Sequence, residues 1–448
     1  MNKPILRTCP RLEEQYRELR HKSGLRVLVC SKAFRTCHAA LTVPYGSMDR
    51  FAGGTLPMGT AHFLEHKMFQ RDPGRYGGSD TFDDDFAALG AESNAYTSYD
   101  RTVYYFSCSD HFPEALESLV RMVSELYVTK ASVSRERQII GGEIRMNADD
   151  PWERCYAETR TALFGRHPMQ EEVCGSEASL RRITPAVLET AFRRFYRQER
   201  MVLTVCGGIT PEEVLDVLDR VWNAPCAADS PIEADPPSSL RFKLSHAAFT
   251  PRVTVRKETA RPLFSIGIKD PSVPVGAAAL LRRDLTMSIL CEMLFSRAGT
   301  FYDTLFEEGL IGSEYSYGSS VGASLAQSSL PGYGYYDLSG ESDRPEAVLE
   351  AFTSYVEALK KTGLDPRDFS RAKRILYADF VASFDSAEDI ASILGSYAVD
   401  GLCAYGFFEV AESITQKDVQ DLFEETFHPS RYSLSVVLPT EWDPTQNL

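Results

Sequence analysis

His62-Phe63-Leu64-Glu65-His66 sets two imidazoles four residues apart with a carboxylate between them. Gly59-Thr60 before it and Lys67-Met68-Phe69 after it continue the segment as one helix. On a helix, residues four apart stand one above the other on the same face, so His62 and His66 can aim ring nitrogens at a single point. Two zinc ligands require that geometry, and Glu65 lies beside the same point, placed to take a proton from an attacking water without itself ligating. The pattern H-x-x-E-H is the reverse of the H-E-x-x-H zinc helix.

A catalytic zinc takes one further protein ligand and keeps a position open for water. The stretch from Ser132 to Asn147 reads as a second helix, in which Glu136 and Glu143 are two turns apart and face the same way. Gly141-Gly142 within it costs about 1 kcal/mol per glycine relative to alanine, and a close approach of the two helices is the expected compensation.

The elements around these helices repeat. Tyr104-Tyr105 followed by Pro113-Glu114-Ala115 is echoed by Tyr335-Tyr336 followed by Pro345-Glu346-Ala347, and Arg200 to Val205 is echoed by Arg431 to Val436. Each echo lies about 231 residues downstream. Long amphipathic helices are predicted over 114–127 and 346–360, and strands over 26–30, 38–43 and 263–268. Pro225, Pro231, Pro236 and Pro237 mark a seam that can continue neither helix nor central strand. The chain therefore divides into a metal-binding repeat at 1–224, a proline-rich linker at 225–240 and a second repeat at 241–448. The expected class is α+β: two homologous repeats, each a mostly antiparallel sheet with helices packed on one side.

The 448 residues are enough for sizeable cores, and 43% hydrophobic with 25% charged residues is an ordinary globular balance. A formal charge of −15 argues against nucleic acid or an anionic membrane surface as partner. No stretch has the length and apolarity of a membrane span, the N-terminus lacks the apolar run of a secretory signal, and the ten cysteines form no C-x-x-C pair. A reducing, cytoplasmic location is the expectation.

At this point the sequence resembles the insulinase and pitrilysin family of zinc peptidases, which includes the mitochondrial processing peptidases. The likeness rests on His62 to His66, on the glutamate helix about 77 residues later, and on Ser93-Asn94-Ala95-Tyr96-Thr97-Ser98 leading into Thr102 to Phe106. Leu163-Phe164-Gly165, His167-Pro168 and Gly175-Ser176 extend it, and the two-repeat layout agrees. The resemblance implies one zinc per chain held by His62, His66 and Glu143. Glu65 is the implied general base, and Glu136 the second carboxylate of the catalytic set, supporting the site from behind. Asn94 and Ala95 would lie on an edge strand to which an extended, unfolded peptide adds by backbone pairing. The implied activity is zinc-dependent endopeptidase cleavage in an enclosed chamber, the alternative being a scaffold homologue without catalysis.

The second repeat departs from this pattern. Setting Cys291-Glu292-Met293 against Leu64-Glu65-His66 puts Ile289 and Met293 where the histidines stand, so no second metal site is expected. Family members often carry an arginine and a tyrosine near here that hold the substrate carbonyl. Phe306 occupies the arginine's place, and Tyr315 or Tyr317 is left to supply the hydroxyl. The chain is therefore expected to be the zinc-bearing half of a dimer, its partner a metal-free homologous subunit that brings the arginine, as in bacterial paired members.

Other signals are weaker. Gly318-Ser319-Ser320-Val321-Gly322 matches G-x-S-x-G, with Asp343 and His428 following, but a serine-rich run does not make the strand-to-helix elbow that motif requires. His111 and His167 have no partner at ligand spacing, and Asp83-Asp84-Asp85 suits a helix start.

Overall fold

The computed structural model describes residues 4–51, 55–165, 167–222, 248–325 and 332–442. The linker assigned to 225–240 lies outside them. Twelve strands among the described residues form two sheets: β1 (Ile5–Cys9), β2 (Glu14–Arg20), β3 (Arg26–Ser31), β4 (Cys37–Val43), β5 (Glu92–Thr97), β6 (Thr102–Cys108), β7 (Val202–Gly207), β8 (Arg252–Lys257), β9 (Leu263–Lys269), β10 (Tyr315–Gly322), β11 (Tyr333–Glu341) and β12 (Tyr432–Pro439). The first sheet runs β1-β2-β3-β7-β4-β6-β5 and the second β10-β11-β9-β12-β8. Read from the other edge, the second is β8-β12-β9-β11-β10, which reproduces β3-β7-β4-β6-β5 strand for strand. Each sheet has one parallel pair, β3 with β7 and β8 with β12, and both fall at the same place in that order. The echoed sequences lie on matching strands, Tyr104-Tyr105 and Tyr335-Tyr336 on β6 and β11, residues 202–205 and 432–436 of the later echo on β7 and β12. Two mostly antiparallel α+β repeats are therefore present.

Every residue of β4, β7 and β9 is buried. Strands read this way only when both faces of the sheet are covered. On one face each repeat packs its own helices, Thr60–Met68 and Phe112–Met122 against the first sheet, Ala277–Phe295 and Pro345–Thr362 against the second. The opposite face is covered by a helix from the other repeat. Pro151–Phe164 packs across β8, β9 and β12, while Ala387–Val399 packs across β3, β4 and β7. Period-two alternation separates the faces. Phe264, Ile266 and Ile268 point to the second repeat's own helices. On the other side Ser265 Oγ accepts from Thr159 Oγ1 at 2.7 Å, and Lys269 Nζ donates to the Leu163 carbonyl at 2.9 Å. Glycine sets the approach at both crossings. A Cβ on Gly267 would stand 2.6 Å from Thr159 Cγ2, and one on Gly395 3.3 Å from Thr204 Oγ1.

The helix predicted over 114–127 ends at Met122, because apolar spacing reports burial and not helix: Leu126 and Val128 still pack on the first core from irregular chain beyond it. No single described helix is long and apolar enough to cross a membrane.

His38, on β4, is buried at 1% exposure, with Nδ1 hydrogen-bonded to Ser107 Oγ at 2.8 Å. Burial pulls its imidazolium down from 6.5 to about 4. As pH falls below 6.5 the unfolded chain takes up a proton that the folded chain refuses, so stability is lost over that window, by about 3 kcal/mol at pH 4. His38→Gln should remove that share of the acid loss, read as a smaller drop in urea midpoint between pH 7 and pH 4.5.

Candidate metal centre

The helix Thr60–Met68 starts from Gly59, whose left-handed φ of 80° and whose missing Cβ, which would lie 2.4 Å from the Cys174 carbonyl oxygen, both demand glycine. Phe63, Leu64 and Met68 are fully buried in the first core. That anchoring turns His62 and His66 together to the opposite side, ring centroids 4.7 Å apart. The helix Lys130–Asp149, opened by a Thr129/Ser132 capping box, brings Glu143 to the same point. Glu143 Oε2 lies 3.8 Å from His62 Nε2 and 3.5 Å from His66 Nε2, and the three ligand atoms lie within 4.8 Å of one another. These gaps are too long for good hydrogen bonds and right for atoms sharing one ion at zinc distances of about 2 Å. The residues present fit zinc: two imidazoles and one carboxylate, with His62 Nδ1 buried and unpartnered on the far side of its ring.

Electrostatics treat the two imidazoles differently. Burial lowers the His62 imidazolium to about 4, leaving the ring neutral. Burial also opposes a charge on His66, but the bond to Glu136 and the charge of Glu143 outweigh it and raise that ring. Burial raises the Glu65 carboxyl against the lowering effects of Thr97 and His66, which makes it a stronger base than an exposed glutamate. Thr97 Oγ1 donates to Glu65 Oε2, fixing the carboxylate from the edge strand.

Glu136 takes its own place. Its Oε1 bonds His66 Nδ1 at 3.0 Å, and Gln70 Nε2 donates to its other oxygen. Gln70 Oε1 in turn accepts from the wholly buried Lys67. Glu136 thus touches a ligand and not the reacting point, so it is a positioning residue, not a catalytic one. Three contributors were not singled out from the sequence. Gln70 stands one turn beyond His66, Lys67 follows His66 directly, and Thr97 is the last residue of β5. The i+4 spacing from His66 to Gln70 was the available signal.

The structure differs from expectation in two further respects. A Cβ on Gly142 would meet nothing within 4 Å and one on Gly141 only the Arg145 side chain, so no close helix approach explains that pair. Tyr315, assigned to substrate, is 6% exposed and donates its hydroxyl to the Phe295 carbonyl at 2.8 Å. Alternation along β10 turns Tyr315 and Tyr317 alike toward the helix Ala277–Phe295, where Tyr317 donates to Glu292 Oε2 at 2.7 Å. Asn94 and Ala95 do lie on β5, the terminal strand of the first sheet, with Asn94 exposed.

In the second repeat Ile289 and Met293 are buried apolar residues. Glu292 is held there by Arg371 Nη1 at 2.8 Å as well as by Tyr317. A fixed guanidinium supplies that glutamate's countercharge. Phe306 is 59% exposed at the end of the helix Thr300–Glu307.

Residues 26–177 match the model for Insulinase (Peptidase family M16), and residues 182–376 that for the Peptidase M16 inactive domain. The uncharacterized zinc protease YmfH of Bacillus subtilis (strain 168) is 29% identical over 449 residues, covering 98% of this chain and 100% of that one. A putative M16-like peptidase from Alicyclobacillus acidocaldarius superposes with a TM-score of 0.87 at 26% identity, covering 97% and 100%. Subunit 1 of the mitochondrial cytochrome b-c1 complex of Bos taurus is 26% identical over 199 residues, 44% of this chain and 40% of its own.

Proposed function

This chain belongs to the insulinase peptidase family M16, and from that premise we propose that it is a zinc-dependent endopeptidase of unfolded peptides. The convergence of His62, His66 and Glu143 beside the buried Glu65 carries the reading. When bound there, zinc supplies a Lewis acid that polarises the scissile carbonyl and makes water more acidic. The chain's residues do the rest. Glu136 accepts a hydrogen bond from His66 Nδ1–H, which holds the proton on that nitrogen and leaves the Nε2 lone pair free as a ligand. Glu65 takes a proton from the attacking water and returns it to the leaving amine. The unpaired edge of β5 offers backbone groups to an extended peptide, so that Thr97, on the same strand, links substrate alignment to the base it bonds.

Disconnecting the support behind His66 should show in metal affinity. Glu136→Gln and Gln70→Leu are each expected to weaken zinc binding by about 10–100-fold, read by competition with a chromophoric chelator.

The chain works as the zinc-bearing half of a dimer with a metal-free homologue. Phe306 in the arginine's place supports this, as do the internal bonds that occupy Tyr315 and Tyr317. The test is turnover of an internally quenched, unstructured peptide by the zinc-loaded chain alone and after mixing with such a homologue. Higher turnover in the mixture is expected. Equal turnover by the chain alone would dispose of the dimer requirement, and zinc binding without turnover in either case would leave a scaffold.

A further inference from the structure

A cavity of about 930 Å³ lies where the two repeats meet, and none of its lining residues belongs to the metal centre or to β5. Its walls include Phe164, Leu280, Leu281, Val321, Tyr333 and Tyr397. That size and an apolar lining with a few polar groups are those of small-molecule sites. The ionisable groups on the wall are uneven in their partners. Asp100 and Asp400 share Arg101, at 2.6 and 3.3 Å from its Nη2. Asp270 takes Arg283 Nε at 2.9 Å, and Lys269 Nζ donates to the Leu163 carbonyl. Asp284 has no hydrogen bond or ion pair among the described residues, and burial pushes its carboxyl up to about 6, so it is ionised at neutral pH.

A sunken carboxylate without a countercharge is costly, and the expense is removed when a cation reaches it. Here the space for one exists beside it. Aromatic rings on the wall favour a cation over a neutral group of the same shape. We propose that this cavity binds a small organic cation, a protonated amine carried on an apolar body, with Asp284 as its countercharge and the wall of Leu280, Leu281 and Val321 as the seat of the apolar part.

Titration calorimetry of the full-length chain at neutral pH with tryptamine, and with tryptophol, which exchanges the ammonium for a hydroxyl, tests the assignment. Tryptamine should bind at one site at least about tenfold more tightly than tryptophol. Asp284→Asn should erase that preference without lowering the unfolding temperature, because it removes a half-buried, uncompensated charge. Leu281→Trp, which fills the space, should abolish binding of both and serves if the first variant folds poorly. Equal affinity for the two probes would overturn the proposal. So would a preference unaffected by Asp284→Asn, affinity unchanged in Leu281→Trp, or no heat with either probe up to about 10 mM.

Discussion

Glu65→Gln is expected to lower peptide turnover by about 10³-fold while the protein keeps one zinc per chain. Glutamine matches glutamate in shape, and its side-chain oxygen can still accept from Thr97 Oγ1, so the helix and its two histidines should stay where they are. What is lost is the lone pair that takes a proton. Burial raises the Glu65 carboxyl, so replacing it by a neutral amide should leave stability unchanged or slightly higher. Metal analysis, thermal unfolding and quenched-peptide kinetics on the same preparation separate these effects. Retention of more than a tenth of parental turnover, with zinc in place, would mean that another group moves the proton.

The second large effect is expected far from the metal. Gly267→Val should destabilise the protein by about 3 kcal/mol or more, because even a Cβ there lies within 2.6 Å of Thr159 Cγ2 and 2.8 Å of Leu163 Cδ1. Valine suits a strand by itself, so the loss is assignable to the crossing helix and not to β9. Gly395→Ala, where the nearest contact is 3.3 Å, should cost visibly less. Denaturant unfolding of the two variants side by side gives the comparison, and a Gly267→Val midpoint equal to that of the parent would show that the helix Pro151–Phe164 can back away from the sheet.

The two helices of the metal centre were legible because one site imposes spacing on the residues that face it: the histidines are four positions apart, and the ligand Glu143 is seven from Glu136, which supports His66. The repeat was legible because paired tyrosines and strand segments recur at one offset. The exchange of helices was not, since the buried sides of Pro151–Phe164 and Ala387–Val399 do not differ in pattern from those of helices that stay at home. Tyr315 was misassigned for a related reason. A tyrosine near a family position carries no mark of which way its strand turns it, and β10 turns it inward. Gln70 and Lys67 escaped notice because their contribution lies in whom they bond, Glu136 and each other, and residue type alone does not show it.

The crossing helices also bear on how such a chain could arise and how it holds together. A lone repeat would leave one side of its sheet bare. Two copies lending each other a helix would cover both bare sides and close into a symmetric pair, a low-cost route to assembly. The fused chain keeps that exchange as internal symmetry. A break between the repeats would leave two fragments that still need each other to complete their cores.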